Sequence, residues 1–159
     1  LRAALRSLLD DGAIVRDRFV LRRPMHVAQL TPADRARLER LLAALGASGQ
    51  RPPSLGDLAA TLAEPRLGLV DELAAWARRG HLVQVADNRY VAPERVLEWI
   101  DIARGLDAEG NGTGFDAAAY RDRSGLGRNL TIDVLEFLDR QGVTRYRAGR
   151  RRLVATLPC

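Results

Sequence analysis

The chain has 159 residues, 47% of them hydrophobic and 5% aromatic, and a formal net charge of +5. That suits two or more small domains with leucine- and alanine-rich helical packing. No apolar run approaches the roughly 18 residues of a membrane span, arginines break up the opening apolar residues so that no secretory leader is read, and the one cysteine, Cys159, excludes an internal disulfide framework and fits a reducing cytoplasm.

The chain opens inside a helical pattern, with Leu1, Leu5, Leu8 and Leu9 in one stripe that ends at Gly12. Short apolar runs at 13–16 and 19–23 then flank Asp17-Arg18 as a hairpin. Residues 1–27 therefore read as the later part of a module, and the chain as a fragment of a longer protein.

A full module spans 28–92. Thr31-Pro32 gives an N-cap with proline at the first helical position, Asp34 favours the first turn, and Leu38, Leu41, Leu42 and Leu45 form the buried face. Ser54 with Asp57 predicts a capped second helix whose Leu55, Leu58 and Leu62 face inward. A third helix is expected from about 67 to 79, with Leu69, Leu73 and Trp76 in register and Gly80 as its stop. Leu82–Val85 and Arg89–Ala92 complete a hairpin.

The last module, 93–159, starts on a helix marked by Val96, Leu97 and Ile100 and expected to end near Gly105. The stretch Gly110–Gly114 reads as a flexible connector, since no strand precedes it and no lysine follows. Asp116 caps a short helix with Ala117 and Tyr120 inward. Leu130, Val134, Phe137 and Leu138 stripe the next helix. Gly142 stops it, and two basic strands follow around Ala148-Gly149.

Gly12, Gly80 and Gly142 each follow a leucine-rich helix and precede a hairpin. This repeat predicts a mainly α chain with small β-hairpins (α+β), a tandem array of winged-helix domains with the first truncated.

All 25 basic residues are arginine. This excludes lysine-dependent phosphate loops and Schiff-base chemistry and supplies planar, bidentate donors for phosphate and guanine. Residues 121–159 hold nine arginines against four acids, whereas 93–120 hold two against six, so the basic surplus is a local footprint. His26, His81 and Cys159 lack metal-ligand spacing, and Asp10-Asp11 and Asp71-Glu72 are helix neighbours that point apart; neither catalytic nor metal-binding residues are expected. Trp76 and Trp99 read as packing residues. Tyr146 alternates with Arg145 and Arg147 and reads as core. On the 128–140 helix, Asp133, Glu136 and Asp139 would repel phosphate, which leaves its first turn as the favourable end.

Five segments now stand together: Tyr120-Arg121-Asp122, Gly127-Arg128-Asn129, Leu135-Glu136-Phe137-Leu138-Asp139, Gly142-Val143-Thr144-Arg145 and Gly149-Arg150-Arg151-Arg152. They resemble the last winged helix of the bacterial selenocysteine-specific translation elongation factors, over residues 114–153. One departure is Asn129, where the family has lysine. The resemblance implies a chain that lacks the family's amino-terminal GTP site, and so is no enzyme by itself and needs no cofactor. It implies binding of the selenocysteine insertion hairpin in mRNA to direct UGA recoding. Ribosome and selenocysteinyl-tRNA would be engaged through the full-length factor, a cytoplasmic protein, with this part monomeric. Because A-form grooves exclude a recognition helix, loops and flanking phosphates are the expected target. Arg128 and Asn129 would then touch the loop, Arg145, Arg147, Arg150 and Arg151 would clamp its backbone, and Arg121 would assist. A DNA-binding transcriptional regulator and a structural adaptor are the competing expectations; the acidic helix surface argues against the first and the basic hairpin against the second.

Overall fold

The computed structural model describes residues 10, 11, 13, 15–17, 20–22 and 30–154. The leucine stripe of residues 1–9, Gly12, Arg18, Arg23, His26 and Cys159 lie outside them. Strands β1 (Val15–Asp17) and β2 (Val20–Arg22) pair antiparallel, Val15 opposite Arg22, where the first hairpin was expected.

Helix α1 (Pro32–Gly46) and helix α2 (Leu55–Leu62) both start on complete capping boxes, Thr31 with Asp34 and Ser54 with Asp57. Each box satisfies backbone N–H groups that the first helical turn leaves without partners. Helix α3 (Arg66–Arg78) follows. Leu41, Leu58, Leu69, Leu73 and Trp76 close a core between the three helices. Outside that core, Arg37 ties α1 to α3 and to the connection before it: its Nε and Nη2 donate to Glu72 at 2.8 and 2.6 Å, and its Nη1 to Glu64 at 2.6 Å. Hydrogen bonds from Arg37 hold both carboxylates below their usual range. The Trp76 indole adds a further donor to Glu72 at 3.2 Å.

The glycines that end α3 and the last helix, α6 (Arg128–Arg140), do so in the same way. Gly80 and Gly142 have φ of 81° and 74°. At α3, His81 N–H reaches Trp76 C=O at 3.0 Å and Gly80 N–H reaches Ala77 C=O at 3.0 Å; at α6 the corresponding pairs are Val143 to Leu138 and Gly142 to Asp139, both 3.0 Å. These are two Schellman caps, the structural basis of the repeated glycine. A Cβ on Gly142 would meet nothing within 4 Å, so Gly142→Ala isolates the backbone strain. It should lower stability by about 1–2 kcal/mol, measurable by urea unfolding.

Strands β3 (Val83–Ala86) and β4 (Arg89–Val91) form the second hairpin, with a register shift between Gln84 and Ala86. The hairpin divides its apolar residues between two cores: Leu82 and Tyr90 pack under α1–α3, while Val83, Val85 and Val91 enter the core of the following module. The Arg140 guanidinium donates to the Val85 carbonyl at 3.2 Å. The two modules are therefore packed on each other through this hairpin.

Beside it, His81 stands edge-on to Trp76, ring centroids 5.5 Å apart. Burial, then the Arg79 charge, hold its imidazole below the ordinary 6.5. As pH falls, the unfolded chain takes up that proton first, so stability drops from pH 6.5 downward until His81 protonates in the fold. Melting temperature should fall from about pH 7 to about pH 5, and fall less in His81→Asn; equal falls would exclude His81 as the cause.

In the last module, helix α4 runs Pro93–Glu109, past the expected stop at Gly105. Val96, Trp99, Ala103 and Leu106 are buried along one face. That continuous stripe outweighs a glycine cost of about 1 kcal/mol in a helix interior. Leu97, one of the three residues that marked this helix, is exposed. Helix α5 (Ala117–Ser124) starts on Asp116, whose side chain accepts from Ala119 N–H at 2.8 Å. Tyr120 is fully buried, and its hydroxyl donates to Trp99 C=O at 3.0 Å. Strands β5 (Thr144–Arg147) and β6 (Arg150–Leu153) close the module. Among the described residues the fold is thus six helices and three separate two-stranded sheets, two of its modules being helix–helix–helix–hairpin units.

The glycine loop before α5 is a fixed part of this module, unlike the flexible connector the composition suggested. Phe115 and Arg151 exchange backbone hydrogen bonds at 2.9 and 2.7 Å. Arg150 also donates to the carbonyls of Thr113 and Gly114, at 3.0 and 2.7 Å. A Cβ on Gly114 would lie 2.3 Å from the Arg151 carbonyl oxygen, so this close approach requires glycine.

Candidate nucleic-acid interface

Helix α6 buries Leu130, Thr131, Val134, Leu135, Phe137 and Leu138, a stripe wider than the four residues that announced it. Gly127 is its N-cap and makes no side-chain capping bond. The first-turn N–H groups of Arg128 and Asn129 are thus uncapped by a side chain, at the positive end of the helix dipole. Arg128 and Asn129 are both exposed. Ile132, one turn on, is also exposed.

The acids along α6 have separate settings. Asp133 and Glu136 line a polar groove with Gln84, Asp87 and Arg140, against the second hairpin. Asp139 is instead an anchor: Oδ1 accepts from the Thr144 hydroxyl at 2.6 Å, and Oδ2 accepts from Arg151 Nε at 2.9 Å. The expected repulsive strip therefore stops short of Asp139.

The hairpin register decides which arginines act together. Ala148 and Gly149, with φ of 51° and 81°, form a two-residue turn of the type that follows the strand twist. It sets Arg147 opposite Arg150, Tyr146 opposite Arg151, and Arg145 opposite Arg152. Because side chains alternate and cross-strand partners share a face, Arg145, Arg147, Arg150 and Arg152 occupy one face. All four are exposed, and they line a cleft of about 500 Å3 with Gly112, Thr113, Ala148, Leu153 and Val154. Among the described residues no carboxylate forms an ion pair with any of the four. Two directly opposed arginine pairs destabilise the ribbon, and a polyanion bound on that face would relieve the repulsion.

Arg151 lies on the opposite face. Its side chain is only 12% exposed, paired with Asp139 and stacked over the Tyr146 ring, 4.7 Å from the centroid. Tyr146, expected in the core, is 56% exposed, although it shares its face with Arg151, which is held by Asp139 of α6: alternation gives its face but not its burial. Of the residues singled out from sequence, Arg145, Arg147 and Arg150 come together in the cleft. Arg121, Arg128 and Asn129 do not line it, and Arg121 is paired with Asp122 at 2.7 Å. Arg152 takes the place on the basic face given to Arg151. Counting outward from the two-residue turn would have revealed this from sequence.

Comparison with known proteins agrees with this layout. The family model described as "Elongation factor SelB, winged helix" matches residues 108–153, which include the glycine loop, α5, α6 and the basic hairpin. The selenocysteine-specific elongation factor of Escherichia coli (strain K12) is 35% identical over 101 residues, 64% of this chain and 16% of that protein. The factor of Haemophilus influenzae (strain ATCC 51907 / DSM 11121 / KW20 / Rd) is 22% identical over 143 residues, 90% of this chain and 23% of that protein. The chain thus spans less than a quarter of either curated relative.

Among solved structures, the mRNA-binding domain of elongation factor SelB from E. coli, in complex with SECIS RNA, superposes with a TM-score of 0.64. It is 31% identical, and the match covers 74% of this chain and 91% of the domain. A bacterial selenocysteine-specific elongation factor EF-Sec shares the fold, with a TM-score of 0.61 over 96% of this chain and 24% of that one, at 17% identity. With nearly the whole of that mRNA-binding domain matched, this chain belongs to the bacterial selenocysteine-specific elongation factor family, in its carboxyl-terminal winged-helix region.

Proposed function

We propose that this chain is an RNA-binding module whose last winged helix holds a selenocysteine insertion hairpin in mRNA and so directs recoding of UGA. The observation that carries the reading is the face formed by Arg145, Arg147, Arg150 and Arg152, cationic and without carboxylate partners among the described residues. The similarity to a domain solved with SECIS RNA supports it. In this reading the four arginines hold phosphates beside the loop, and Arg128, Asn129 and the uncapped start of α6 meet the loop itself. Arg121, drawn toward Asp122, assists only when that exposed pair opens. Arg151 acts indirectly, by placing the ribbon.

The chain works here as a monomer and without catalysis. GTP hydrolysis and contact with selenocysteinyl-tRNA and the ribosome fall to the full-length factor in the cytoplasm. A gel-shift series tests the reading by comparing an RNA stem-loop, the same RNA made linear, and duplex DNA. The stem-loop should bind tightest, with a steep loss of affinity as salt rises. Preference for duplex DNA would favour a transcriptional regulator, and binding of none of the three would favour a structural adaptor.

A further inference from the structure

The face of the last hairpin opposite the four arginines carries a second arrangement, made of Asp139, Arg151 and Tyr146. Asp139 holds Arg151 Nε at 2.9 Å, and the Arg151 guanidinium lies 4.7 Å from the Tyr146 ring centroid. Arg151 is 12% exposed at its side chain, whereas Tyr146 is 56% exposed. The guanidinium is thus fixed by its carboxylate, and it fixes the ring by a cation–π contact. An exposed aromatic usually loses rotamer freedom on binding; here the arginine has already restricted the ring, and the remaining surface is open.

We propose that Tyr146, backed by Arg151, is a stacking platform for an unpaired nucleobase of the bound RNA. This deepens the RNA-hairpin reading and rests on it. Three features identify a base as the occupant. Tyr146 is an aromatic side chain more than half exposed, and an aromatic ring stacks on any base. It stands on the same short ribbon as four phosphate-competent arginines, so a strand held by its backbone on one face passes the ribbon edge toward the other. Arg151 on the covered side makes the stack arginine–tyrosine–base, which combines the aromatic stacking and arginine cation–π contributions of single-strand binding surfaces. A duplex stem, whose bases are already stacked, offers no such partner, so the platform contributes to loop or bulge recognition and not to general RNA affinity.

The test uses this chain and an RNA hairpin selected for tightest binding from a library with a fixed stem and a randomised loop. Tyr146→Leu keeps an apolar cover over Arg151 and removes the ring, and Tyr146→Trp keeps a ring. Tyr146→Leu should weaken hairpin binding about tenfold, Tyr146→Trp should bind as the parent does, and binding to the stem duplex alone should be unchanged in both. Single abasic substitutions walked through the unpaired nucleotides should find one position at which Tyr146→Leu costs nothing further. Circular dichroism melts of the two variants confirm that the ribbon is intact. If Tyr146→Leu binds the hairpin as tightly as the parent while Arg145→Ala weakens it, the platform is wrong and the RNA-hairpin reading stands. If the parent selects no hairpin above duplex, the underlying reading fails and the platform with it.

Discussion

Replacing Arg145 and Arg147 together by alanine should weaken RNA-hairpin binding about a hundredfold, from the removal of two charge-assisted hydrogen bonds of about 1.5–3 kcal/mol each before neighbouring arginines compensate. The same change should leave the fold as stable as before or slightly more so. Each arginine stands directly opposite another, Arg145 against Arg152 and Arg147 against Arg150, and like charges facing across a ribbon repel. The two observables therefore move in different directions, which a misfolded variant could not reproduce. A salt titration adds a third: the log–log slope should become shallower by roughly 0.7 for each phosphate of single-stranded RNA that the variant no longer neutralises. Removing Arg35 and Arg40 from α1 changes the net charge equally but touches no part of the cleft. That control should retain most of the affinity at moderate salt, where distant charges are screened. Equal reductions in the two double variants would show that the chain attracts RNA by net charge alone.

How much of this was legible in the sequence differs by residue and for physical reasons. The helices of the second module were readable because their signals are local: Thr31 with Asp34 and Ser54 with Asp57 cap within one turn. The repeated glycine was readable because a left-handed residue at a helix end is a local requirement, met at Gly80 and Gly142 alike. Gly105 misled, since a helix-breaking preference of about 1 kcal/mol is weaker than burying Leu106 beyond it. The glycine loop misled for a different reason. Its order comes from Phe115 pairing with Arg151 and from Arg150 reaching Thr113 and Gly114, interactions between segments that composition treats separately. Tyr146 obeyed the alternation, but alternation gives only a face and not its burial. The division of the second hairpin between two cores had no signature at all. Val83 and Val85 look like any strand residues until α6 is placed against them.

Asp139 gives the second large effect, one whose sign opposes simple electrostatics. A carboxylate on a helix beside an RNA-binding ribbon should hinder binding, and removing it should raise affinity. The geometry predicts the reverse. Asp139 accepts the hydroxyl of Thr144, which is 2% exposed, and the guanidinium of Arg151, which is 12% exposed. Asp139→Ala would leave both donors without that acceptor inside the protein. Bonds to a charged acceptor contribute about 1.5–3 kcal/mol each. With Asp139 itself 23% exposed, water recovers part of this, so the expected destabilisation is about 2–3 kcal/mol, or a melting temperature lower by roughly 5–10 °C. Hairpin affinity should fall several-fold even though the chain becomes more positive, because the carboxylate that fixes β5 and β6 against α6, and the arginine face with them, is gone. Asp139→Asn keeps an oxygen for Thr144 but not the charge for Arg151, and should lie between. Parallel thermal melts and binding isotherms on the three proteins decide the matter: affinity that rises on removal of the carboxylate would return Asp139 to the role of a repulsive surface charge.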